Sequence, residues 1–162
     1  MSGLRRFWIG YAILVASYIA GSIGMGFGPA VESHFFPVRV DQIVDRIERA
    51  PGNAMCWDWS GRKVRPLASD NLDLFIRVNG GEKAVGAAYA ADTGDLWKPS
   101  SAPGLGPVRK RYCTRLPPSV RTADEVLVEW TAWYPSGTGL WRFSTDLPDI
   151  FSPGMDPPAG QR

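Results

Sequence analysis

Histidine and cysteine are scarce in this chain, with one His and two Cys among 162 residues. A Cys/His zinc site cannot be assembled from that set within one molecule, and a His-based catalytic triad would have to be built on His34 alone. The GxGxxG, P-loop and HExxH patterns that cradle phosphates or hold zinc are absent, and so is CxxC. An excess of one charge is missing too: Lys plus Arg number 18 against 16 Asp plus Glu. A net charge of +2 on 17.8 kDa leaves no electrostatic footprint of a nucleic-acid binder. The carboxylates are scattered, so no acid pair of the kind a glycosidase needs is placed by any motif. These absences predict a protein that is not an enzyme, with no cofactor, no metal site and no nucleic-acid partner.

The longest absence is local. From Phe7 to Val31 no charged residue occurs over 25 positions. At a helical rise of about 1.5 Å per residue, that run exceeds the roughly 30 Å of bilayer hydrocarbon. It predicts a transmembrane helix over 7–31 with Phe7, Trp8 and Tyr11 as interfacial aromatics and Pro29 marking where the helix stops or bends. Arg5 and Arg6 precede the run, while residues 32–50 carry acids and bases mixed, so the positive-inside rule puts residues 1–6 in the cytoplasm and the rest outside. Beyond residue 31 the acidic and basic residues balance at 16 each, so the whole net charge is that arginine pair. A cleaved signal peptide is the competing reading, because Gly28-Pro29-Ala30 offers small residues, but the apolar run is longer than the roughly 7–15 residues of a signal core.

Within the run, Ala12, Ala16, Ala20, Gly24 and Gly28 recur at spacing four. Residues four apart share a helix face, and small side chains there allow another helix to approach closely. The stripe is expected to be a docking face for another membrane protein or for a second copy of the chain.

After Pro37, Val40, Ile43, Val44 and Ile47 stand at the i, i+3, i+4, i+7 positions of one helical face. They predict a short amphipathic helix in a stalk over 32–52, ended by Pro51-Gly52. From there the period becomes two. Leu72, Leu74, Ile76 and Val78 alternate with polar residues, and Val126, Val128, Trp130, Ala132 and Tyr134 do the same. Further strands are expected near 55–59, 63–66, 84–90 and 108–116. Around seven strands over 53–147 predict an antiparallel sandwich, immunoglobulin-like in architecture, followed by a Pro-rich tail over 148–162. The fold class is therefore mainly β, behind an N-terminal transmembrane helix. A four-residue loop at Pro135–Thr138 would pair Tyr134 with Gly139 and set Ala132 opposite Trp141 and Trp130 opposite Phe143.

Cys56 and Cys113 are an even pair in a domain expected outside the cytoplasm, which predicts a disulfide. Face parity puts Cys113 with Arg109, Arg111 and Arg115, and Cys56 with Asp58, so the bridge should lie on a polar face with Trp57 and Trp59 turned inward and Asp58 free to pair with Arg111 or Arg115. The expected hairpin leaves Trp133 outward beside Leu140, with Glu129 and Arg142 near it. A ring ringed by charge suits a protein interface or, alternatively, a cell-wall glycan. The expected whole is a single-pass protein of a bacterial inner membrane, or of a phage acting there, with its C-terminal domain periplasmic. It would serve as an accessory or scaffolding subunit.

Overall fold

The computed structural model describes residues 2–97 and 104–152. Helix α1 runs Ser2–Phe35 and passes through Pro29. Its apolar stretch is long enough to cross a membrane. A proline inside a helix forfeits one hydrogen bond; the helix nonetheless continues to Phe35, and Glu32, one turn past the proline, is bonded to the β-domain. Among the described residues nine strands follow: β1 Arg39–Ala50, β2 Ala54–Lys63, β3 Asn71–Val78, β4 Lys83–Val85, β5 Ala88–Ala90, β6 Gly106–Arg115, β7 Val126–Pro135, β8 Arg142–Asp146 and β9 Ile150–Phe151. They form two antiparallel sheets, one ordered β1-β2-β6-β5 and the other β4-β3-β7-β8, with β9 also paired to β7.

The sheets share one core, in which Trp57 and Trp59 of β2 meet Trp130 of β7 edge to face, at ring-centroid distances of 5.3 and 6.5 Å. Strict alternation on β7 buries Val126, Val128, Trp130, Ala132 and Tyr134 and leaves the residues between them half-exposed. On β3 the same alternation buries Leu74 and Ile76. Both strands match the two-residue period of their sequences, because each has one buried face and no inserted residue.

The amphipathic helix expected after Pro37, in the stalk over 32–52, is not present: Arg39–Ala50 is strand β1. Its helix-like spacing comes from two bulges. Asp41 and Gln42 together oppose Gly61, and Arg46 and Ile47 together oppose Trp57. Asp41 and Arg46 take φ of 53° and 48°, the left-handed backbone that a bulge residue adopts. Each extra residue resets the inside/outside parity, so Val44 and Ile47 pack on the core while Ile43 stays 58% exposed. The expected stripe is therefore divided between the two faces of a sheet.

Three smaller expectations also change. The strand expected over 63–66 is the end of β2, which closes at Lys63. The strand expected over 84–90 is split between the sheets, β4 in one and β5 in the other. Gly86 lies at that crossover, where a Cβ would stand 2.5 Å from Leu74 Cδ2, so only glycine fits without moving the core. The β7–β8 register differs as well. Tyr134 pairs with Phe143 and Ala132 with Thr145, and the loop lengthens to 136–141. The shift is even in residue number, so Phe143 still faces inward and stacks on Tyr134 at 5.7 Å. The tail is not separate from its first residue: Ile150 is fully buried in β9, and the Pro148 carbonyl accepts a hydrogen bond from Trp130 Nε1. Residues 98–103, and 153–162 of the expected tail, lie outside the described residues.

Candidate interaction site at the junction of helix and sheets

The expected disulfide is present. Cys56 and Cys113 are direct partners across β2 and β6, with Cα atoms 4.0 Å apart. The bridge joins neighbouring strands of one sheet, whereas that of an antibody domain crosses between sheets. It is buried on the outer face of that sheet beside Asp58. Asp58 is also buried and receives Arg111 at 2.9 Å, Arg109 at 3.1 Å and Arg46 at 3.6 Å. Arg109 reaches on to Asp45, and Arg111 to Glu48. Burial alone pushes the Asp58 carboxyl up, but the hydrogen bonds and charges of Arg111 and Arg109 outweigh it and hold the group below its ordinary value. The expected link from Asp58 to Arg111 is thus made, and Arg115 has no part in it. The network stitches β1, β2 and β6 together and leaves these arginines satisfied by carboxylates.

The outward surface on β7 is only partly assembled. Trp133 donates its Nε1 hydrogen to Asp73 Oδ2 at 2.6 Å, and the Arg142 guanidinium lies 5.6 Å from its ring centre. Arg142 is in turn paired with Asp70 at 2.8 Å. Glu129 belongs elsewhere on the strand, where it binds Lys83 at 2.8 Å and approaches Arg77 at 3.7 Å. Leu140 sits in the β7–β8 loop, 63% exposed. The lengthened loop removed it from the strand position that would have put it beside Trp133.

Where the helix meets the sheets, a different site is built. Arg65, just past β2, donates to Glu32 Oε1 at 2.8 Å and to the Phe36 carbonyl at 2.7 Å. Trp141, in the loop before β8, donates its indole hydrogen to Glu32 Oε2 at 2.9 Å. Both carboxylate oxygens of Glu32 are therefore engaged by groups from two separate parts of the β-domain. The Trp141 ring lies against Gly28, where a Cβ would come within 3.0 Å of it. Beside these contacts runs an open, mostly apolar groove of about 600 Å³, walled by Ile23, Gly24, Phe27 and Val31 of the helix and by Thr138 and Trp141 of the loop.

This junction divides the small-residue stripe. Gly28 is used within the chain, against Trp141; Gly24 lines the groove; and Ala12, Ala16 and Ala20 are exposed. The sequence reading missed Glu32, Arg65 and Trp141 as a set. One signal was available, namely that Glu32 is the first charge after the uncharged run and must find a partner near the end of an apolar helix. His34 is exposed, in edge-to-face contact with Phe35. Among the described residues no cluster of His, Cys, Asp and Glu could hold a metal. No family model matches the chain, and no curated protein matches it.

Proposed function

We propose that the chain is a single-pass, membrane-anchored accessory or scaffolding subunit, with its N-terminus cytoplasmic and its disulfide-bonded sandwich, immunoglobulin-like in architecture, on the periplasmic side of a bacterial inner membrane. The observation that carries this reading is the clamp on Glu32. Arg65 and Trp141 fix the end of the apolar helix to the β-domain, so the orientation of the domain sets which helix face is offered to a neighbour. Ala12, Ala16, Ala20 and Gly24 are exposed along one face of that helix, and small residues on such a face allow backbone-to-backbone packing in lipid. The disulfide suits an oxidising compartment, as the charge distribution around the helix does. The occupant proposed is a transmembrane helix of another protein; a second copy of this chain is the competing occupant.

The glycan-binding alternative has less support. Trp133 could stack on a sugar only with a free ring face, and Arg142 lies over that ring while Asp73 holds its N–H. Copurification from membranes in mild detergent tests the main reading: a retained membrane partner is expected, and a strictly monomeric protein would overturn it.

A further inference from the structure

Two positive charges face each other inside the β-domain. Arg39 of β1 and Lys63 of β2 are cross-strand partners. The unbroken β2–β6 register puts Lys63 on the same face as the core residues Trp57 and Trp59. Lys63 is only 3% exposed. Like charges directly opposite in a sheet repel, and burial removes the water that would screen them.

No carboxylate compensates them among the described residues: neither Lys63 nor Arg39 has an ion pair there. Glu32 at this end of the domain is committed to Arg65 and Trp141. The unpartnered buried polar atoms around Arg39 and Trp59 include one neutral acceptor, Gln42 Oε1; the others can donate. The Arg39 guanidinium lies 4.6 Å from the Trp59 ring centre, while Arg39 Nε and Trp59 Nε1 are buried without an acceptor. The Tyr134 hydroxyl is also buried without a partner. The Arg39 charge acts on the Tyr134 and Tyr112 hydroxyls, opposing the rise that burial causes in both. Burial, and then the charge of Arg39, lower the affinity of Lys63 for its proton. On the other side of Lys63 the cross-strand partner is Gly106, which sets no side chain beside it.

A paired cation set with unpartnered N–H and O–H groups beside it lacks one component, an acceptor carrying negative charge. We propose that Arg39 and Lys63 form an oxyanion site between the sheets, taking a phosphate or carboxylate group. Lys63 supplies the inner charge and half-buried Arg39 closes the outer side, with Tyr134 and Trp59 as neutral donors. This site is independent of the groove at the helix junction and of the membrane-subunit reading.

The test uses the full chain in nanodiscs of phosphatidylcholine, titrated with sodium phosphate or sodium acetate at constant ionic strength made up with chloride. Tryptophan fluorescence and the thermal midpoint are read. Wild type is expected to give a saturable change and a raised midpoint. Lys63→Met and Arg39→Gln should each weaken the response by about tenfold or more, as loss of a charge-assisted hydrogen bond does. In chloride alone, Lys63→Met should melt no lower than wild type, because it removes an uncompensated buried charge. Should Lys63→Met fail to fold, Arg39→Gln carries the comparison. A parallel arm with phosphatidylglycerol in the nanodisc and no free phosphate identifies the source: the same change there marks a lipid headgroup, and a change with free phosphate or acetate alone marks a soluble ligand. No response to phosphate, acetate or anionic lipid, or a response equal in wild type and the folded variants, would overturn the site.

Discussion

Gly28 lies against the indole of Trp141 so closely that a Cβ at position 28 would stand 3.0 Å from Trp141 Cζ2. The contact brings the apolar helix and the β-domain together at a position where glycine is needed for space. Trp141 is then held by Glu32, which is held by Arg65, so one close approach, a charge-assisted hydrogen bond and an ion pair act on the same two turns of helix.

Gly28→Leu is expected to push Trp141 off the helix and release Glu32. Overpacking of this kind costs about 1–3 kcal/mol. Hydrogen exchange should rise in residues 30–38 and in the β7–β8 loop while the rest of the β-domain keeps its protection. Unchanged exchange in both segments would mean the contact does not couple them.

Asp58→Asn keeps the shape of the side chain and removes the charge that three arginines share. The carboxylate is nearly enclosed but its partners are partly exposed, which screens the interaction. The expected loss is about 1–3 kcal/mol in chemical denaturation. The pH dependence has a definite sign. The folded-state pKa of Asp58 is lowered below 3.8, so its contribution is fully present above that unfolded value and is lost as pH falls through the folded one. Wild type should therefore lose stability below about pH 4 more steeply than Asp58→Asn; parallel curves would contradict the assignment.

The Cys56–Cys113 bridge closes a sequence separation of 57 residues. Replacing both cysteines by serine is expected to lower stability by about 2–4 kcal/mol. The double variant should also become insensitive to dithiothreitol in a thermal melt, whereas wild type should lose a comparable amount on reduction. A wild type that melts at the same temperature with and without reductant would sink the claim that the bridge staples β2 to β6.

How far the sequence could be read depended on whether each strand kept one parity. On β7 every second residue from Val126 to Tyr134 is buried, and on β3 Leu74 and Ile76 behave likewise, so those strands and the inward tryptophans were legible. The β1 strand was not. Its bulges at Asp41 and Arg46 respaced Val40, Val44 and Ile47 to the intervals of a helix, and nothing local marks a left-handed Asp or Arg. The β7–β8 loop was misplaced because PSGT looks sufficient as a turn, while Trp141 and Leu140 are in fact drawn into the loop, where Trp141 serves the helix junction. That junction was the least legible part, since Arg65 and Trp141 lie 33 and 109 residues from Glu32. The disulfide could be read from the cysteine count, and face parity narrowed the Asp58 partner to Arg111 or Arg115; the β2–β6 register, which sets Asp58 opposite Arg111, decides between them.

Trp133→Phe removes the hydrogen bond to Asp73 and keeps the ring under Arg142. A loss of about 1 kcal/mol in stability is expected, with unchanged retention of any membrane partner. Loss of binding to purified peptidoglycan in this variant would favour the glycan alternative instead.

The central claim is that the open face of the helix docks another membrane protein. Photocrosslinking residues placed one at a time at Ala12, Ala16, Ala20 and Gly24 in native membranes, with Tyr18 and Met25 on the opposite helix face as controls, measure it most directly. The account predicts adducts to one discrete membrane protein from the stripe positions and few or none from the controls. Absence of adducts at all four stripe positions, or equal labelling of stripe and control positions, would contradict it.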